Sequence, residues 1–242
     1  MNNVCEKIAT YLLEDEFFVD FRLRKNDSTI ICKLPDGFEK VELQNWIDTN
    51  YSSGEKELVI HPIYGRRFNV LHKWFEKFSF KSISDQRGSY SIGFDGDMLG
   101  KRNGYRLPPS ENHTYDWDIC RSEIVANASF VFGQFSTLTD LYKYLVYPAV
   151  IGEKDLPDVS ADWVFQYLLL TKIVDGNNYA MTKKVILDQV EKMNARHEPN
   201  ITRYYSNMDD ILNFLENVDV NLTSNPTFKR DAAKARRPLT KR

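Results

Sequence analysis

The side chains best suited to chemistry lie in and around one glycine-rich stretch. Asp95-Gly96-Asp97 and Asp116-Trp117-Asp118 bracket it, and two Asp-x-Asp pairs brought together would offer carboxylate oxygens to a hard divalent cation. No glutamate closes either pair at calcium-loop spacing, and aspartate beside glycine is a common turn pair. The expectation is therefore that no metal or other cofactor is bound, with Asp95, Asp97, Asp116 and Asp118 the residues to test as ligands. The histidines are His61, His72, His113 and His197. They form neither H-x-x-x-H nor H-E-x-x-H, and no Gly-x-Ser-x-Gly elbow is present, so neither a zinc hydrolase nor an α/β-hydrolase has local support. A catalytic pair would have to assemble in space, for example His113 with Asp116 or Cys120; a lone histidine is more often a cap or a surface group. No residue is assigned as catalytic. Gly88–Gly104, with Arg87, Lys101 and Arg102, invites a phosphate-loop reading, but its glycine spacing matches neither the P-loop nor the dinucleotide fingerprint. A mobile loop is expected there instead. Arg66-Arg67, read as opening a helix, would face an acidic partner or water.

Charge is divided unevenly along the chain. Of 32 basic and 34 acidic residues, the last fourteen positions hold seven basic and one acidic, a tail of +6 on a body of −8. An acidic body repels phosphate and shows no basic stripe interleaved with stacking aromatics, so nucleic acid is not an expected partner for it. Hydrophobic residues at 42% and aromatics at 13% suffice for a packed core. No apolar run approaches the ~20 residues of a membrane span. Cys5, Cys32 and Cys120 are widely spaced with no C-x-x-C, and the N-terminus lacks the layout of an export signal, which together point to a reducing cytoplasm.

The elements that must position these groups follow from periodicity. Residues 3–15 predict a helix. Phe17–Leu23, a turn at Lys25-Asn26-Asp27 and Thr29–Leu34 predict a β-hairpin. A short helix is expected over 41–51, a strand over Leu58–His61, an amphipathic helix over 66–79 and a strand over Ser89–Phe94. A polar loop then runs to about 118. Ile124–Phe132 alternates Ile124, Ala126, Ala128, Phe130 and Phe132 with more polar neighbours, which predicts a long strand. Thr137 or Ser136 can cap a helix reaching Val146. Beyond Gly152 the pattern becomes helical: a segment capped by Ser160 and apolar nearly all round, Trp163–Val174, a helix through Val185–Met193, and a last one with Asn207 as N-cap. The fold class expected is α+β, an antiparallel sheet with packed helices followed by a C-terminal helical portion and a disordered basic tail. The expected boundaries are 1–150, 151–224 and 225–242.

The order helix, hairpin, strand, helix, strands, helix over residues 3–147 on an acidic body resembles the fold of small bacterial type III secretion chaperones. The hairpin Phe17–Leu34, the strand Leu58–His61, the helix Arg66–Ser79 and the strand Ile124–Phe132 carry the likeness. It implies a non-enzymatic, possible homodimeric protein that binds another polypeptide. The tail, with Arg230, Arg236, Arg237 and Arg242, resembles the Arg-rich C-terminal signals of type IV secretion substrates. The reading that follows is a cytoplasmic protein-binding module, chaperone-like or adaptor-like, using the exposed part of its sheet or a groove beside its helices. Two alternatives stand beside it: a type IV-secreted effector or enzyme with an acidic site at 95–120, and an immunity-type protein that neutralises a toxin.

Overall fold

The computed structural model of the chain describes residues 2–24, 28–102, 104–107, 114–157, 161–198 and 201–219. Its class is α+β, with an antiparallel sheet and surrounding helices. The chain forms two compact units, Met1–Arg67 with Ile92–Phe135, and Phe68–Ser91 with Ser136–Arg242. It passes between them after Arg67, Ser91 and Phe135.

The first unit is built on a six-stranded sheet, β1 (Arg22–Arg24), β2 (Thr29–Leu34), β3 (Gly37–Thr49), β4 (Lys56–Phe68), β5 (Ile92–Phe94) and β6 (Tyr105–Leu107). The order is β1-β2-β3-β4-β5, with β6 also on β4. Leu34↔Gly37 closes the β2–β3 hairpin, and Tyr64↔Phe94 and Ile60↔Tyr105 set β5 and β6 against β4. Between β3 and β4 the side chain of Asn50 accepts from the Ser52 amide at 2.9 Å, and Gly54 takes the left-handed φ of 71° that closing this turn requires. Helix α1 (Asn2–Leu12) buries Cys5, Ile8, Ala9 and Leu12 and packs on α4 (Thr114–Gln134).

Three expectations need correction in this unit. Residues 41–51 are not a helix: β3 runs through them, and burial of Gly37, Glu39, Val41 and Leu43 in alternation is the period of a strand held by neighbours on both sides. Ile124–Phe132 is not a strand. It lies within α4, whose buried positions Cys120, Ile124, Asn127, Ala128, Val131 and Phe132 recur at three- and four-residue steps, continued by Phe135 just past its end, while Phe130 and Ala126, which the alternation counted as buried, face outward. Of Phe17–Leu23 only Arg22 and Leu23 are paired as strand, in β1. Glu16–Phe18 is a 3-10 turn capped by Asp15, whose carboxylate accepts from the Phe17 amide at 3.0 Å. Phe17 and Phe21 stack on Phe132, with ring centroids 6.4 and 5.9 Å away, so the aromatic run serves the α4 interface rather than a ladder. The pieces taken to match a secretion chaperone therefore lose the strand Ile124–Phe132.

The second unit is helical: α2 (Asn69–Phe75), α3 (Ile83–Gly88), α5 (Leu138–Leu145), α6 (Tyr147–Val150), α7 (Ala161–Val174), α8 (Tyr179–Ala195), α9 (Ile201–Tyr205) and α10 (Met208–Asn217). The helix expected over 66–79 begins only at Asn69, because Arg66, Arg67 and Phe68 complete β4; a 3-10 turn, Glu76–Phe78, follows it. Val164–Leu170 is buried on every side, so α7 is the central helix, packed by α2, α5, α8 and α10. Each such Leu or Phe contributes roughly 1.5–3 kcal/mol on burial. Thr137 and Asp140 form a reciprocal capping box on α5, with the Asp140 amide donating to Thr137 Oγ1 at 3.1 Å. Pro148, expected past the end of that helix, occupies the first turn of α6, where its missing N–H costs nothing. Ser160 and the tail 225–242 lie outside the described residues.

Candidate functional site

Among the described residues the acidic pairs do not form one metal-holding cluster. Asp95 follows β5, with one carboxylate oxygen 3.6 Å from His61 Nε2 on β4 and the other accepting from the Met98 amide at 3.0 Å. Asp118, on α4, accepts from the Tyr11 hydroxyl, beside Arg121 stacked over the Tyr11 ring. Asp97 is exposed, and the side chain of Asp116 lies outside the described residues, as does His113. Among the described residues no three His, Cys, Asp or Glu side chains converge to hold a metal.

The other sequence candidates have structural roles. His197 adopts φ 54° just past α8, where its amide donates to Asn194 O and that of Glu198 to Met193 O, a left-handed helix cap. His72 Nε2 lies 3.0 Å from Ser91 Oγ, which also accepts from the Phe68 amide, and Ser91 is wholly buried. The glycines of 88–104 are dispersed: Gly88 ends α3, Gly93 sits in β5, and Gly96–Gly100 is a hydrogen-bonded turn. No phosphate cradle results. Arg66, 2% exposed, pairs with Asp36 and lies 4.0 Å from Glu39, while Arg67 stacks over Phe38. Neither arginine is at a helix start or in water. Arg230, Arg236, Arg237 and Arg242 lie outside the described residues.

What the structure assembles instead is a strip on the distal half of β3 and β4. Trp46 is 44% exposed, its ring centroid 6.0 Å from that of His61, which in turn faces Asp95. Beside them Arg106 of β6 bridges Asp48 at 2.7 Å and Glu57 at 3.2 Å. The hydrogen bond from Arg106, helped by the Thr49 amide, lowers the Asp48 pKa; one from Asn50, then Arg106, lowers that of Glu57. Ile47 is exposed in the same strand, and Tyr51, in the turn, is 98% exposed. The strip thus offers an aromatic platform among ionised carboxylates. Sequence reasoning missed it because Trp46 and Ile47 were assigned to a helix, and because the His61–Asp95 approach depends on the β4–β5 register.

Among the described residues of the second unit, two recesses bear on binding. One is an open groove of about 390 Å³ between residues 149–156 and α8, with mixed charges from Glu153, Lys154, Asp155, Asp188 and Lys192. The other is a cavity of about 10 Å³ lined by aromatic and polar groups, among them Phe75, Ser79, Lys81, Asp162, Trp163 and Gln166. Comparison of the chain with protein-family models, with curated proteins and with solved structures finds no match.

Proposed function

We propose that the protein is a polypeptide-binding module, adaptor-like or chaperone-like, that receives a basic, partly apolar segment of its partner on the Trp46 strip. The exposure of Trp46, with Tyr51 in the turn that follows its strand, is the observation that carries this reading. Tryptophan and tyrosine supply large contact area at low entropic cost and dominate binding surfaces where they occur. Asp48, Glu57 and Asp95 add negative charge, and Arg106 pairs with the first two. The first unit carries 13 basic and 18 acidic residues, so its wider field also favours a basic partner over nucleic acid.

The exported-enzyme reading has no comparable observation in its favour, since Asp95 and Asp118 are each engaged by a different partner. An array of 15-residue peptides of matched hydropathy but basic, neutral or acidic composition tests the proposal. Capture of basic peptides containing aromatic residues is expected. Equal capture of acidic peptides, or none of any class by the folded protein, would sink it.

A further inference from the structure

Within the second unit a cavity lined by His72, Ser79, Lys81, Gln86, Asp162 and Gln166 holds a buried carboxylate and a buried amide oxygen that suit one primary ammonium group. Asp162, in the first turn of α7, is 6% exposed, and Gln166, one turn later, is 5% exposed. Gln166 Oε1 is buried with no hydrogen-bond partner, an acceptor that costs stability unless something donates to it. Ser79 Oγ donates to Asp162 Oδ2 at 3.4 Å, and Phe75 and Trp163 supply aromatic walls. Oxygen acceptors beside aromatic rings favour a group that is cationic and only donates.

The free space of about 10 Å³ is that of a single water, close to the size of –NH3+ and too small for a planar guanidinium. An ammonium already sits at the rim. Lys81 Nζ lies 3.3 Å from Asp162 Oδ2, on a side chain 37% exposed that follows the 3-10 turn. Lys81 therefore plugs its own site from the outside and leaves the Gln166 oxygen unserved.

We infer that this cavity accepts a primary ammonium group from a ligand, a lysine side chain or a chain N-terminus, which donates to Gln166 Oε1 and Asp162 as Lys81 swings into solvent. The inference rests on the proposal that the partner is a basic polypeptide, but it concerns a second, separate contact. The test uses small amines, not a polypeptide, so its outcome is independent of the peptide array. The full chain is titrated with Nα-acetyl-lysine amide, glycinamide and Nα-acetyl-arginine amide while the Trp163 indole N–H resonance, assigned with W163F, is followed. One of the first two should shift the Trp163 resonance, identifying a side-chain or N-terminal source, and the arginine compound should not. Lys81→Met should bind at least tenfold more tightly because the competing ammonium is gone, and Q166L in the Lys81→Met background should reverse that gain. Absence of any shift in both the wild-type chain and Lys81→Met, with both folded by circular dichroism, would overturn the assignment. So would an equal response to the arginine compound.

Discussion

The two ends of the β3–β4 hairpin invert the usual placement of residues. Near its root Glu39, Lys40, Arg66 and Arg67 are buried, with Asp36 beside them, whereas toward its tip Trp46, Ile47 and Tyr51 lie open to water. The root spends burial on charge, offset by counter-ions, Arg66 with Asp36 and Lys40 with Glu42 at 2.8 Å, and by the Phe38 ring under Arg67. The tip leaves apolar surface unused. A strand built for stability alone would have its aromatics at the root and its charges at the tip, so the contrast separates a region that fixes the fold from one that leaves apolar surface open, as the proposed recognition role requires.

The comparison can be broken first at the root. A methyl group on Gly37 would lie 1.9 Å from the Arg67 carbonyl oxygen, a backbone atom with no room to move. Gly37→Ala should cost more than about 4 kcal/mol, visible as loss of the cooperative denaturant transition. Asp36→Ala should cost about 3–5 kcal/mol by leaving buried Arg66 with only the longer contact to Glu39, while the triple variant Asp36→Leu, Glu39→Leu, Arg66→Met, which removes the whole charge cluster, recovers most of that in the same urea titration. Failure of the triple variant to recover would mean that the root is held by geometry rather than by charge.

At the tip the effects on stability are smaller. Trp46→Ala should leave the unfolding free energy within about 0.5 kcal/mol of the parent, as exposed substitutions do. Acidification probes the neighbouring ion pairs. The folded pKa values of Asp48 and Glu57 lie below their ordinary 3.8 and 4.5, so their contribution is fully present above those values and is lost as pH falls through the lower, folded ones. Arg106→Ala should therefore flatten the stability curve below pH 4, and a curve of unchanged shape would contradict the assignment. The least change is expected at Cys5, whose thiol burial pushes up to about 11. Native protein should resist thiol reagents at pH 8, and stability should fall as pH rises from 9 toward 11, because only the unfolded chain releases the proton there.

Most helices were legible because local signals agreed with packing. The Thr137–Asp140 box, the all-round apolar α7 and the position of Asn207 before α10 each state their structure within a few residues. β3 and α4 were not legible for opposite reasons. Val41, Leu43, Trp46 and Ile47 fit a helical face, and what makes them a strand is hydrogen bonding to β2 and β4, including residues as far away as Thr29. In α4 the β-branched and aromatic residues mimic alternation, and Cys120 and Phe135, outside the short window, restore the helical period. The strip was half visible: Asp95 stood out beside its glycine, but its partner His61 is 34 positions away and is set by strand register. The α+β class survived these errors because both misread segments exchanged one regular structure for another.

The claim that the hairpin tip is a recognition surface is tested most directly by the affinity of an array-selected basic peptide for Trp46→Ala, measured by calorimetry beside the thermal unfolding of the same sample. Unchanged unfolding with at least tenfold weaker binding, about 1.4 kcal/mol, is the result expected. Binding within twofold of the parent would place the partner elsewhere on the molecule.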